Sequence, residues 1–173
     1  MQASGGDVFL KDTAPGTGST FVIEIPCVIE HENKSQIDVL VVDDDEPWRN
    51  TLVRALGNEQ LSVETASSYS EASNIISSSR VWLVVLDLSL KADPENRDGL
   101  RLLSDVEKAG LNIQVIVVTG YGAEQDRQVA ERSQRLLAFI NKREFEVPRF
   151  RELVTQSLKR SLSTVRNDTR QAV

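Results

Sequence analysis

The sequence predicts an α/β protein with a doubly wound, five-stranded parallel sheet, preceded by a short β-hairpin-like extension. Three observations predict it. From residue 37 onward, short apolar runs alternate with segments of helical periodicity, five of each. The runs are rich in β-branched residues and apolar at consecutive positions, as in VWLVVL at 81–86, so both faces of each strand are buried. Such a sheet takes helices on each side. Finally, polar residues with chemical potential stand directly after the runs, where open α/β sheets gather their sites.

The elements follow in order. Ile37–Val42 is the first strand of the alternating region. Pro47–Gly57 is a helix, with Trp48, Leu52, Val53 and Leu56 at helical spacing and Pro47 suited to the first turn. Leu61–Thr65 alternates as a strand does. Ser70–Ser78 is a helix that Ser70 caps, with Ala72, Ile75 and Ile76 on one face. Val81–Leu86 is a buried strand, and Gly99–Ala109 a helix closed by Gly110. Ile113–Val118, a helix over Glu124–Leu137 and a strand over Leu137–Asn141 come next. Phe150, Leu153, Val154, Leu158, Leu162 and Val165 mark a long amphipathic final helix.

Composition narrows the function. The 173 residues are 40% hydrophobic, enough for one core, and no apolar stretch approaches the ~18 residues that span a bilayer. The first ten residues, MQASGGDVFL, carry no secretory signal. The single cysteine, Cys27, forms no internal disulfide, which fits a reducing, cytoplasmic setting. A net charge of −6 argues against nucleic acid as the main partner.

The strand ends carry the chemistry. Asp43, Asp44 and Asp45 follow the first strand of the sheet, Asp87 the third, Thr119 the fourth and Lys142 the fifth. A parallel sheet brings these ends together. Clustered carboxylates repel and raise one another's pKa values. A hard divalent cation such as Mg²⁺, which prefers carboxylate, water and phosphate oxygens, resolves that conflict. The set reads as a metal-assisted phosphoryl-transfer site.

IDVLVVDDDEP, VVLDL, the DGL at Asp98–Leu100, VVTGYG and FINK stand in the order found in response-regulator receiver domains of two-component signalling, and residues 37–162 resemble that family. The resemblance implies a flavodoxin-like strand order, 2-1-3-4-5. It implies Asp87 as phosphoacceptor, Asp44 as direct Mg²⁺ ligand and Asp43 as a ligand through water. The carbonyl of Ser89 supplies a further ligand and Lys142 pairs with the phosphoryl oxygens. Thr119 is the switch hydroxyl, Gly120 leaves the phosphodonor room, and Phe139 is the switch aromatic. The implied function is a phosphorelay: Asp87 accepts a phosphoryl group from a phosphohistidine of a histidine kinase or histidine phosphotransfer protein, and conformation switches. This is self-catalysed modification rather than enzymatic turnover, and a homodimer is compatible with it. Two other classes are a receiver-fold interaction module working without phosphate and a small-molecule phosphatase with an aspartyl intermediate. The phosphatase lacks a second acid and a cap domain.

Three features depart from the family pattern. Asp87 and Asp98 lie 11 positions apart, so LKADPENRDGL is a lengthened loop, read as a tolerated surface insertion. Arg143 stands where the family carries proline after the lysine, which removes the reason for a cis peptide. SQRLLAF before the last strand lacks the usual glycine, predicting an irregular junction. Tyr121, close to the phosphoryl position, is expected to hinder the hydrolytic water.

Residues 5–26 contain two alternating segments, Asp7–Lys11 and Thr20–Ile25, around a Gly/Pro/Thr turn. They resemble the last two strands of a histidine-kinase ATPase domain, with GTGST as its final glycine motif. Residues 1–26 then read as such a remnant, 27–36 as a linker and 163–173 as a tail, the layout of a hybrid histidine kinase. His31 and Cys27 read as linker residues, Asp45 and Glu46 as helix-start charge, and Trp48 and Trp82 as packing residues.

Overall fold

The computed structural model describes residues 7–14, 18–24, 35–57, 61–91, 96–120 and 124–168. The expectations for Cys27, His31, Tyr121 and most of the linker lie outside these residues. The chain divides into two compact units, Met1–Asn33 and Lys34–Val173. In the first, β1 (Asp7–Ala14) pairs antiparallel with β2 (Gly18–Glu24), from Asp7↔Glu24 to Ala14↔Gly18, with a bulge between Leu10 and Asp12.

In the second unit, β3 (Gln36–Val42), β4 (Val63–Ala66), β5 (Arg80–Leu86), β6 (Gln114–Thr119) and β7 (Leu136–Asn141) form a parallel sheet of order β4-β3-β5-β6-β7. Counted from β3, this is the expected 2-1-3-4-5. The helices are α1 (Glu46–Leu56), α2 (Tyr69–Ser78), α3 (Asp98–Lys108), α4 (Glu124–Glu131) and α5 (Val147–Asp168).

Alternate residues of each strand feed two cores. Leu40, Val42, Val84, Leu86, Val115 and Val117 join Ala72 of α2, Leu102, Leu103 and Val106 of α3 and Ala130 of α4. Val39, Val41, Leu83, Val85, Ile116 and Val118 join Leu52, Ala55 and Leu56 of α1 with Phe150 and Val154 of α5. Continuous apolar runs are therefore what a sheet between two helical layers requires. The mostly charged and polar outward faces of α1 and α3 complete the layers.

Most element boundaries lie within one or two residues of expectation, and two of the differences have a clear physical cause. Ser68, in extended conformation, caps α2 in place of Ser70, its hydroxyl accepting from the Glu71 amide at 3.3 Å. The Glu71 carboxylate in turn accepts from the amide of Ser67 at 2.7 Å and from its hydroxyl at 2.9 Å. The helix starts at Tyr69, one residue earlier than predicted, so the cap moves with it. In addition, α4 stops at Glu131 and does not continue to Leu137. Tightened bonds from Arg132 to Val129 and from Ser133 to Ala130 end it, and Leu136 must already pair with Val115. The β6–β7 register slips at this junction, between Val115↔Leu136 and Ile116↔Ala138, where glycine is missing.

Candidate functional site

The carboxyl ends of β3, β5, β6 and β7 converge. Asp43 follows β3 and Asp87 follows β5. The Asp43 amide donates to the Ala66 carbonyl at 3.1 Å and the Asp87 amide to the Val42 carbonyl at 2.8 Å, so sheet pairing itself sets the two acids side by side. Thr119 ends β6 opposite Asn141, and Lys142 comes next in the chain. Thr119 is buried, 2% exposed, and so are Asp43 and Asp87 at 0% and 6%, a burial that acids sustain only with partners.

Lys142 supplies them. Its Nζ lies 2.7 Å from Asp43 Oδ2 and 2.6 Å from Asp87 Oδ2. The second oxygens are held by backbone: the Asp45 amide donates to Asp43 Oδ1 at 3.0 Å and the Ser89 amide to Asp87 Oδ1 at 3.2 Å. Burial lifts the Asp43 carboxyl to about 6, against the opposing pull of Lys142 and with a further push from Asp87. Burial also works to deprotonate Lys142, but the two carboxylates outweigh it and hold its pKa above the usual lysine value.

Asp44 is exposed at the rim. Carboxylate oxygens of Asp43, Asp44 and Asp87 all lie within 4.8 Å of one another. An all-oxygen set of this spacing, with one lysine against three acids, suits a hard cation. Asp43, Asp44, Asp87 and Lys142 thus meet, with Thr119 buried at the neighbouring strand end, whereas Phe139 stands apart on β7, opposite Val117, half-buried beneath the Arg127 guanidinium at 5.4 Å.

Three residues that the sequence reading did not assign to the site help to build it. Arg49 of α1 donates from Nη1 to the carbonyls of Asp43 at 2.6 Å and Asp44 at 3.3 Å, fixing the acidic turn. Trp48 presents its ring 5.3 Å from Lys142 Nζ. Gly99 lets α3 press against the turn that follows Asp87; a Cβ there would lie 2.3 Å from the Asp87 carbonyl oxygen and 2.5 Å from Leu88 Cα. The DG pair at 98–99 was the only sequence signal for that approach. Arg143 follows Lys142 through a trans peptide into a short 3₁₀ turn, Lys142–Glu144, which the Asn141 side chain caps at the Arg143 amide.

Known proteins resemble this chain in sequence and fold. Residues 39–157 match the response regulator receiver domain family. A putative NtrX-like response regulator of Rickettsia conorii is 36% identical over 88 residues, which are 51% of this chain and 18% of that protein. The transcriptional regulatory protein GlrR of Escherichia coli is 32% identical over 104 residues, 60% of this chain and 22% of that one. The matched segment is thus about a fifth of these relatives' length. The crystal structure of the NtrX receiver domain from Brucella abortus superposes with a TM-score of 0.59 at 28% identity, covering 70% of this chain and 98% of that one. A CheY-like receiver from Methanospirillum hungatei superposes with a TM-score of 0.65 at 23% identity, covering 75% and 99%, and shows the shared fold. With strand order, paired acids and family match in agreement, the chain belongs to the response regulator receiver domain family.

Proposed function

We propose that this chain is a phosphorelay receiver that takes a phosphoryl group onto Asp87 from a phosphohistidine. The observation that carries the reading is the Asp87–Lys142 contact at 2.6 Å beside the buried Asp43. One Asp87 oxygen attacks phosphorus while the P–N bond to imidazole breaks. The electron pair stays on that nitrogen, and an acyl phosphate forms. Lys142 exchanges its carboxylate contact for the incoming phosphoryl oxygens, placing positive charge where negative charge develops. Thr119, at the end of β6, donates to the phosphoryl group in the product state alone, so it biases a two-state equilibrium that Phe139 reports.

Asp43, Asp44, Asp87 and the Ser89 carbonyl would hold Mg²⁺. When bound, the ion offsets the charge of about −1.5 to −2 that a phosphoryl group brings. Partners in this reading are a histidine kinase or phosphotransfer protein, in the cytoplasm, with a homodimer compatible. Among the described residues no helix is long and apolar enough to cross a membrane. The antiparallel β1–β2 pair and the GTGST sequence motif support reading residues 1–26 as the end of a kinase ATPase domain, hence a hybrid histidine kinase context.

Acetyl phosphate or phosphoramidate with Mg²⁺, followed by intact mass, tests the reading. Wild type gains one phosphoryl group and Asp87→Asn gains none. Failure of wild type to gain it under any donor would favour an interaction module independent of phosphate.

A further inference from the structure

We propose that Trp48 is a positioning residue for Lys142, its ring forming the third wall of the site that holds the ammonium between Asp43 and Asp87. The inference rests on the phosphoryl-accepting reading of that site. Lysine is a point charge on a flexible stem, so two carboxylates alone leave its direction loosely set. In this chain the residue after the lysine is Arg143, and the backbone turns directly into 3₁₀ geometry. Other groups restrain the stem. On one side it passes Gly120, where a Cβ would lie 3.5 Å from Lys142 Cδ. At its tip, the Trp48 ring faces Nζ at 5.3 Å, within the range of a cation–π contact.

The ring is itself fixed. Phe145 meets Trp48 edge-on, with centroids 5.8 Å apart and planes at 85°. Phe145 packs on Phe150 at 5.3 Å, and Phe150 is wholly buried between α5 and the sheet. A chain of three aromatics therefore runs from the core to the ammonium. Next to Trp48, Arg49 ties the same turn of α1 to the Asp43 and Asp44 carbonyls. The first turns of α1 thus position both the acids and the lysine. A packing role alone does not require the ring to face a charge. Trp48 is only half-buried, which leaves the contact less screened than one in open water.

The test uses the full chain and three measurements. First, Trp48→Leu, checked for folding by thermal midpoint, phosphorylates from acetyl phosphate about fivefold more slowly than wild type, and Trp48→Phe recovers most of that loss. Second, the Lys142 Hε resonances, shifted by the facing ring in wild type, move toward random-coil positions in Trp48→Leu. Third, in a Trp82→Phe background, where Trp48 is the remaining tryptophan, Lys142→Met changes the emission; this measurement stands if Trp48→Leu fails to fold. Wild-type phosphorylation rate in Trp48→Leu, an unmoved Lys142 resonance, equal slowing by Leu and Phe, or unchanged emission would each overturn the assignment. The resonance and emission readouts need no phosphorylation, so they separate this inference from failure of the phosphoacceptor reading.

Discussion

Asp43 has no exposed surface, and burial lifts its carboxyl from 3.8 to about 6. Between those values the folded protein holds a proton that the unfolded chain has released. Stability therefore falls as pH rises through that window and levels off above it. Lys142, raised in the folded state, contributes stability below the ordinary lysine range that is lost only as pH passes its folded value, so the two windows do not overlap. Asp43→Asn removes the acidic titration. Its stability relative to wild type is expected to climb from pH 4 to 6, by at most about 3 kcal/mol and by less where Lys142 misses a partner. Urea midpoints of both proteins at four pH values check this, and a flat difference would contradict it. Most of the acidic cluster was legible in the sequence because each member stands directly after an apolar run. Trp48 and Arg49 were not legible as site residues. Helical spacing places each of them around α1 but does not say that one position meets the lysine and the other the acidic turn.

Among elements, α3 sets its backbone directly against the turn after Asp87. Gly99 donates its amide to the Leu88 carbonyl at 3.3 Å, and the space above it is filled by backbone. Backbone cannot swing aside as a side chain does, so Gly99→Ala forces α3 off the turn. A loss of about 2–3 kcal/mol in chemical denaturation is expected, together with slower phosphorylation. Gly120→Ala is the control, since its Cβ would meet only the Lys142 stem at ordinary contact distance, and its stability should stay within about 0.5 kcal/mol of wild type. Equal losses in the two would refute the backbone argument. The strands were readable because two-sided burial leaves an unbroken apolar signature. Helix ends were less so: serines at 67, 68 and 70 can all cap, and only the extended backbone at Ser68 selects one. The early end of α4 is set by the demand of β7 for its partner, a tertiary effect that periodicity does not encode.

For the whole molecule, the expected strand order and the convergence of the acids with Lys142 are both found within Lys34–Val173. The order has a consequence for how the protein assembles. β3 lies between β4 and β5, and the β3–β5 pairing joins residues 44 positions apart, as in Gln36↔Arg80. Closing that pair delivers Asp43 and Asp87 to one spot, while the lysine that reconciles them lies 55 positions beyond Asp87. A nucleus built on the first strands carries carboxylate repulsion that only the last strand relieves. Asp43→Asn should consequently refold faster than wild type at neutral pH, with a smaller change in its unfolding rate, in stopped-flow chevrons. Equal refolding limbs would mean that β7 docks before the central strands commit. Faster refolding of the variant would instead mean that the charge arrangement proposed to receive phosphorus is also what slows the birth of the fold.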